Sequence, residues 1–528
     1  MSGRAAIGAG LEPAREARPI RPGERIHILG AAGAGASAAA LLGHHASGDL
    51  SGCDPGGPSS YTPPLLAAGI PLVWEHNPAH VTGTGGFRRP DRLGVTKALT
   101  AIAPDHPELE AARAAGLPLE SWQQVVADAA FGRTLVGVAG THGKSTSAGW
   151  LVHVLVEAGV DPSAFVGALL PGRVTGGLPS TARWGRGDAF VVEADEYAGN
   201  FDAYRPAIAI VTSAEWDHPD VFADRDAVVS AFESWLRAAA AAGHGPVLVA
   251  NIGDPGVADL VERLAPDWAG SIVVTAVVDV ASQRLASHVR DLGERYAGDV
   301  IDEAAGALVG RIVVAEPEGT TVEFASPRKT YLAEPTTVRL ATAGRHNVAN
   351  ALGVLAAART LGVSADVALR GLSTFVGVGR RLERKGDAAG VVVYDDYGHH
   401  PTAIRETLAA VRQREPGRRV WAVYEPLTYH RTAALLDDFA AVLAGADAVA
   451  IADIWAGRDP DTTVASAAGL AEAVARHRPG IVVNAPGSVE ATASWLAGEV
   501  RSGDAVLVMG GGRSYRIGEL LLEQLERA

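Results

Sequence analysis

The chain has 528 residues, enough for roughly two to four domains with separate cores. Its net charge of −14 argues against a general nucleic-acid surface, and a single cysteine, Cys53, excludes a disulfide framework and fits a reducing, cytoplasmic compartment. No window holds about eighteen uninterrupted apolar residues, so no membrane span is expected.

Residues 1–24 mix Arg, Pro, Gly and Glu without an apolar signal core, and a disordered tail is expected there. Arg25-Ile-His-Ile-Leu-Gly then opens a first domain, 25–132, as a strand. It runs into Gly30-Ala-Ala-Gly-Ala-Gly-Ala-Ser and an alanine-rich helix. Gly33, Gly35 and Ala38 fit G-x-G-x-x-A, and Asp54 ends the next strand at a distance suited to a ribose contact. Taken alone this says dinucleotide, but the same loop serves any pyrophosphate on a helix N-terminus, or simply a close-packed βα turn.

The central domain, 133–373, opens on the stretch that carries most of the chemistry, Gly137-Val-Ala-Gly-Thr-His-Gly-Lys-Ser-Thr. An apolar strand precedes it and a helical pattern follows, the layout of a phosphate-binding loop. Gly140, Thr141, His142, Gly143 and Thr146 would surround ATP phosphates with backbone N–H groups. Lys144 would reach the β/γ-phosphates, and Ser145 would offer a hydroxyl to Mg²⁺. The G-x-x-x-x-G-K-[ST] pattern asks for glycine at position 138, which is valine here, so an ordinary helix start is the competing reading. Two more apolar strands end in acidic groups, Glu193-Ala-Asp-Glu and Glu215-Trp-Asp-His218. Such residues suit Mg²⁺, directly or through water, with Mn²⁺ as an alternative, or else they cap turns. Residues 270–335 read as strands and turns without a chemical constellation.

Gly344-Arg-His-Asn opens a further helix. A third domain, 374–528, carries Gly379-Arg-Arg and the strand Gly390-Val-Val-Val-Tyr-Asp-Asp-Tyr-Gly-His-His-Pro. Two more strand-to-helix units follow. Gly510 to Gly512 closes the last strand and, with no Lys-Ser/Thr after it, reads as a tight turn. The repeated βα units predict an α/β fold of three domains: a Rossmann-like first, a P-loop ATPase-like second with a mostly parallel sheet, and a Rossmann-like third.

Six motifs in order, Gly140-Thr-His-Gly-Lys-Ser-Thr, Glu193-Ala-Asp-Glu-Tyr, Asp217-His218, Gly344-Arg-His-Asn, Gly379-Arg-Arg and Asp395-Asp-Tyr-Gly-His-His-Pro, resemble those of the Mur ligases. The resemblance runs from about residue 25 to about residue 520. It implies an ATP-dependent amide ligase of peptidoglycan precursor synthesis. ATP would phosphorylate the carboxylate of UDP-N-acetylmuramate, and L-alanine would attack the acyl phosphate. The resemblance puts UDP on the first domain, at Gly30, Gly33, Gly35 and Asp54, and adenine at Asn347. It matches Ser145, Glu193 and His218 to metal-site positions, and Tyr397, His399 and Arg431 to positions near the amino acid. Lys144, His218, Arg380 and His399 are the implied catalytic groups, with Arg380 helping to balance phosphoryl charge. The expected partners are these small molecules, in a monomer or weak homodimer, without nucleic acid.

Three departures from the family pattern lie near the amino-acid site. Leu427 stands where a histidine is usual, Thr428 where some members have a second arginine, and Ala198 where many have aspartate. Lys-Ser-Thr in place of Lys-Thr-Thr is chemically neutral, since either hydroxyl ligates Mg²⁺. The alternatives are a recycling ligase attaching a whole tripeptide to the same sugar nucleotide, an NAD-dependent oxidoreductase built on the first domain, and a nucleotide sensor without catalysis.

Overall fold

The computed structural model describes residues 7–279, 306–326, 331–457, 459 and 461–527. Part of the stretch 270–335 read as strands and turns lies outside these residues. Three sheets divide the described chain, with helices on their faces, as expected of the α/β class.

The first sheet comprises β1 (Arg25–Leu29), β2 (Asp49–Cys53), β3 (Leu72–Val73), β4 (Arg92–Val95) and β5 (Leu119–Ser121), all parallel, in the order β3-β2-β1-β4-β5. The helix Ala34–His45 packs on it through small residues. A Cβ on Gly35 would lie 2.2 Å from the Trp122 ring, so this glycine is required for close approach.

The expectation of a disordered tail fails from residue 7 onward. Arg15 pairs with Glu120 and Asp128, each at 2.7 Å, and Arg18 pairs with Glu24 at 2.6 Å. Arg92, buried beneath, meets Glu24 at 3.0 Å and Asp128 at 2.8 Å. Three buried carboxylates need more than one cation, and the amino-terminal arginines complete the set. Composition hides this, because the partners of Arg15 are over a hundred residues away.

The central sheet comprises β6 (Thr134–Ala139), β7 (Ser163–Leu170), β8 (Ser180–Arg183), β9 (Ala189–Glu193), β10 (Ile208–Val211), β11 (Val247–Asn251), β12 (Ser271–Val277), β13 (Ala307–Glu316), β14 (Gly319–Ala325) and β15 (Thr336–Leu340). Its order is β15-β14-β13-β12-β11-β10-β6-β9-β7-β8, parallel from β13 to β7 and antiparallel only at the two edges. The chain leaves β6 toward β7 on one side and returns to β10 on the other. That reversal opens a crevice at the carboxyl ends of β9, β6 and β10, where open α/β sheets bind ligands.

The third sheet comprises β16 (Glu383–Ala388), β17 (Val391–Asp396), β18 (Arg419–Glu425), β19 (Ala448–Ala452), β20 (Val482–Gly487) and β21 (Asp504–Gly510), in the order β16-β17-β21-β18-β19-β20. Only β16 runs antiparallel. Every residue of β17 and β21 is buried, which is why residues 391–394 and 505–509 read as continuous apolar runs rather than alternating ones. The carboxyl ends of β17 and β18 lead into loops that meet the central crevice.

Candidate active site

The strand–loop–helix layout expected of a phosphate loop forms between β6 and the helix Lys144–Glu157. Its glycines are dictated by space. A Cβ on Gly140, at φ +131°, would fall 2.1 Å from Thr212 Oγ1, and one on Gly143, at φ +79°, 2.6 Å from Asn350 Oδ1. Glycine at 143 thus brings Asn350, on the helix Arg345–Thr360, against the loop. Valine at 138 costs nothing, because it lies inside β6 with its side chain in the core.

Lys144 is folded back on its own loop. Its Nζ donates to Gly140 O at 2.6 Å and to Glu196 Oε2 at 2.9 Å, with Asp195 Oδ1 at 3.6 Å. Burial disfavours the ammonium, yet Glu196 and Asp195 hold its pKa above the usual lysine range. Glu196 itself is pushed up to about 7 by burial and by neighbouring Asp195, against the pull of Lys144. Asp195 and Glu196 were legible only as the tail of an acidic strand end, and the structure makes them the lysine's immediate counterions.

Ser145 Oγ donates to Glu193 Oε1 at 2.9 Å, while Gly167 N fixes the other carboxylate oxygen at 2.6 Å. These two residues, expected at a metal site, therefore meet. His218 is grouped instead with Asp195 and Glu196, one donor atom from each lying within 4.8 Å of the others. The hydroxyl–carboxylate pair and the adjoining acidic–imidazole group together form a donor set for a hard cation.

The segment before β16 and the loops after β17 and β18 supply the opposite wall. Arg381 NH2 donates to Ser145 Oγ at 3.0 Å. Arg380, the arginine expected to balance phosphoryl charge, turns the other way. At φ +57° its guanidinium meets Asp395 at 3.1 Å and Gly510 O at 2.9 Å, lying over the Tyr397 and Tyr515 rings. The residue reaching the phosphate loop is its neighbour. Gly510 is a structural turn as expected, since a Cβ there would lie 2.5 Å from Glu425 O.

Arg431, buried in the helix Tyr429–Ala434, pairs with Asp217 Oδ1 at 2.8 Å and meets His218 Nδ1 at 2.9 Å. Its NH1 is buried with no hydrogen-bond partner among the described residues. Burial works against the Asp217 charge, but His218 and Arg431 hold its carboxyl well below the usual range. His399 sits beside this pair, Nε2 3.8 Å from Asp217, its pKa driven down by burial and then by Arg431. Tyr397 lines the same wall. Sequence reasoning missed a further contact, Thr402 Oγ1 to Glu215 Oε2 at 2.7 Å, which ties the helix Pro401–Arg414 to the central domain.

All three domains line one open cleft of about 2000 Å³, beyond the roughly 300–1,000 Å³ of a single small-ligand pocket. Gly33 and Gly35 lie at its first-domain end and Asn347 at the edge of the central domain. Asn347 is engaged locally, donating to Ala343 O at 2.7 Å. Asp54 does not project for a ribose. Its two oxygens accept from Ala32 N at 3.0 Å and Gly56 N at 2.9 Å, so it braces the first loop instead. Gly30, at φ +80°, likewise shapes that loop, with Thr96 Oγ1 3.1 Å from where a Cβ would stand.

Sequence profiles match the chain in three consecutive blocks: "Mur ligase family, catalytic domain" over 25–133, "Mur ligase middle domain" over 138–358 and "Mur ligase, glutamate ligase domain" over 380–512. A UDP-N-acetylmuramate–L-alanine ligase of Frankia casuarinae is 36% identical over 526 residues, covering 95% of this chain and 98% of that one. The chain belongs to the Mur ligase family.

Mur ligases are ATP-dependent ligases, and the NAD-dependent alternative has no place among them. A second relative, the UDP-N-acetylmuramate–L-alanine ligase of Chloroflexus aggregans, is 35% identical over 507 residues, 95% of this chain and 98% of that one. A solved UDP-N-acetylmuramate–alanine ligase from Thermotoga maritima shares the Mur ligase fold at a TM-score of 0.72 and 22% identity, over 95% and 99% of the two chains. A murein peptide ligase from Psychrobacter arcticus superposes at a TM-score of 0.67 and 25% identity, over 96% and 99%. Against the Mur ligase pattern, Leu427 packs where Gly511 leaves room and bridges to Trp455, while Thr428 adopts φ +64°. Ala198 O and Gly199 O accept from Lys97 Nζ at 2.9 and 2.8 Å, joining the first and central domains. No helix among the described residues is long and apolar enough to cross a membrane.

Proposed function

We propose that this protein joins L-alanine to the carboxylate of UDP-N-acetylmuramate at the expense of ATP. The observation that carries the reading is one cleft holding, in sequence, a helix N-terminus at Gly33, a phosphate loop at Lys144 and a buried arginine at Arg431. The near full-length similarity to curated L-alanine ligases supports the choice of amino acid.

A carboxylate is a poor electrophile until one oxygen becomes part of a phosphate leaving group. The γ-phosphoryl group of ATP passes to the muramate carboxylate, the amine attacks the acyl carbon, and inorganic phosphate departs with its oxygen. Backbone N–H groups of Gly140 to Thr146 hold the phosphates, and Lys144 exchanges Glu196 for them. Arg381, already at Ser145, replaces Arg380 as the second cation facing the transferred group. Ser145 and Glu193, with the His218 group beside them, suit Mg²⁺ by their hard oxygen donors. When bound, the ion would neutralise phosphate charge. Arg431, with its unpartnered NH1, is placed to hold the amino acid's carboxylate, and His399, kept neutral by burial, lines the same pocket beside Tyr397. Asn347 is assigned to adenine, and Gly33 with Gly35 to the sugar-nucleotide pyrophosphate. Cys53, buried and unbridged, fits a reducing compartment, and we place the reaction in the cytoplasm.

The test is phosphate release by the purified protein, with UDP-N-acetylmuramate held constant and L-alanine, glycine, L-serine or the tripeptide L-alanyl-γ-D-glutamyl-meso-diaminopimelate as acceptor. Release that requires both the sugar nucleotide and L-alanine is expected. Turnover with the tripeptide alone would transfer the protein to the recycling branch.

A further inference from the structure

The first domain contains a buried cluster that the ligase reaction leaves unused. Cys53 ends β2, His76 follows β3, His80 lies in the helix Ala79–Thr82, and Glu108 lies in the helix Pro107–Ala114. Cys53 Sγ is 3.2 Å from Glu108 Oε2 and 3.4 Å from His76 Nδ1, and His76 Nδ1 is 3.5 Å from Glu108 Oε2. Zn²⁺ bound tetrahedrally by sulfur, nitrogen and oxygen sets its ligands about 3.3–3.6 Å apart. The three atoms therefore already form one face of such a tetrahedron. His80 Nδ1 sits 2.7 Å from the other carboxylate oxygen, and the donor atoms of His27, Cys53, His80 and Glu108 all lie within 4.8 Å of one another.

The imidazoles around the cluster also carry unmet polar atoms. His27 and His80 are 4% and 2% exposed, and each has an Nε2 that is buried with no hydrogen-bond partner among the described residues. Glu108 carries no exposed side-chain surface, and no arginine or lysine pairs with it among the described residues. A buried carboxylate met only by imidazoles, a thiol and the Asn77 N–H, which donates at 2.6 Å, lies in a donor set that a metal cation suits. Thiolate and imidazole together select zinc over magnesium or calcium.

We propose that Cys53, His76, His80 and Glu108 bind one Zn²⁺ ion, with His27 packed beside them. The ion would fasten β2, the segment after β3 and two helices into one unit. Cys53 O accepts from Gly30 N at 2.9 Å and Ala31 N at 3.1 Å, so the same fastening would brace the first glycine loop. The site is independent of the ligase reading, because it rests on donors outside the catalytic cleft.

The experiment is metal analysis of the full chain after exposure to ZnCl₂ and gel filtration, repeated with Co²⁺ as a spectroscopic probe. Expected are one zinc per chain and a near-ultraviolet thiolate-to-cobalt charge-transfer band with tetrahedral visible absorption. Cys53→Ser should lose the charge-transfer band. His76→Ala, at a partly exposed and so fold-tolerant position, should weaken zinc retention by about 10-fold or more. Zinc loading should also raise the midpoint of thermal unfolding in the native chain and not in His76→Ala. Wild-type protein that retains no zinc, or a cobalt spectrum lacking the thiolate band, overturns the proposal in favour of a purely hydrogen-bonded cluster.

Discussion

Arg381 donates a hydrogen bond to Ser145 Oγ at 3.0 Å, across the join between the third and central domains. The contact puts a cation from one domain on the hydroxyl that opens the phosphate-loop helix of another. In the proposed reaction this contact would couple domain approach to charge balance at the phosphoryl group. Replacing Arg381 with alanine is expected to lower kcat by on the order of 10²-fold, with a smaller change in the KM for ATP. Arg380→Ala is expected to act through stability, because its guanidinium is spent on Asp395 and Gly510 O. Steady-state kinetics and thermal melts of the two variants separate the roles, and the reverse pattern would restore Arg380 to the reaction.

Lys144→Ala is expected to abolish ligation, with a loss of about 10²-fold or more, in a protein that still folds. Glu196 can take up a proton once its partner is gone, since burial already holds it near pH 7. Circular dichroism checks the fold and the phosphate-release assay checks the activity. Near-normal turnover in a folded variant would remove the loop assignment.

Arg431→Ala is expected to raise the KM for the amino acid far more than the KM for ATP. The pocket beside it, with Leu427 in its lining, should prefer L-alanine with measurable leakage to glycine or serine. One methylene is worth only roughly 1–3 kcal/mol in such a pocket. An unchanged amino-acid dependence in the variant would displace Arg431 from that role.

Stability should fall with acid through His400. Burial, aided by nearby His142, lowers its pKa from 6.5 to about 4 in the folded state. The unfolded chain therefore binds a proton between about pH 6.5 and pH 4 that the folded chain does not. Stability is fully present above that window and lost as the pH falls through it, by roughly 3 kcal/mol. His400→Asn keeps a side-chain acceptor for the helix start at Thr402 and should flatten the pH dependence of chemical denaturation over this range. An identical slope in the variant would assign the effect to other groups.

What the sequence determined by itself is the part carried by neighbouring residues. Apolar runs bounded by glycine specify the three α/β units. The contiguous stretch Gly140 to Thr146 specifies the phosphate loop, since the backbone conformation it needs is local. Ser145 and Glu193 also meet as the motif order implied. Tertiary structure decided whatever depends on side-chain direction and distant partners. With Arg380 in a left-handed turn, the two consecutive arginines take different partners, Asp395 and Gly510 O for Arg380 and Ser145 Oγ for Arg381, so the spacing of Gly379-Arg-Arg cannot tell which one reaches the phosphate loop. Asp54 is drawn onto the N–H groups of Ala32 and Gly56, which its spacing from the glycines does not reveal. The amino-terminal segment is held in part by Glu120 and Asp128, more than a hundred residues away. Cys53, His76, His80 and Glu108 converge only because the first sheet brings four segments to one end. A charged or polar side chain is committed by the partner that compensates its burial, and that partner is chosen by the fold.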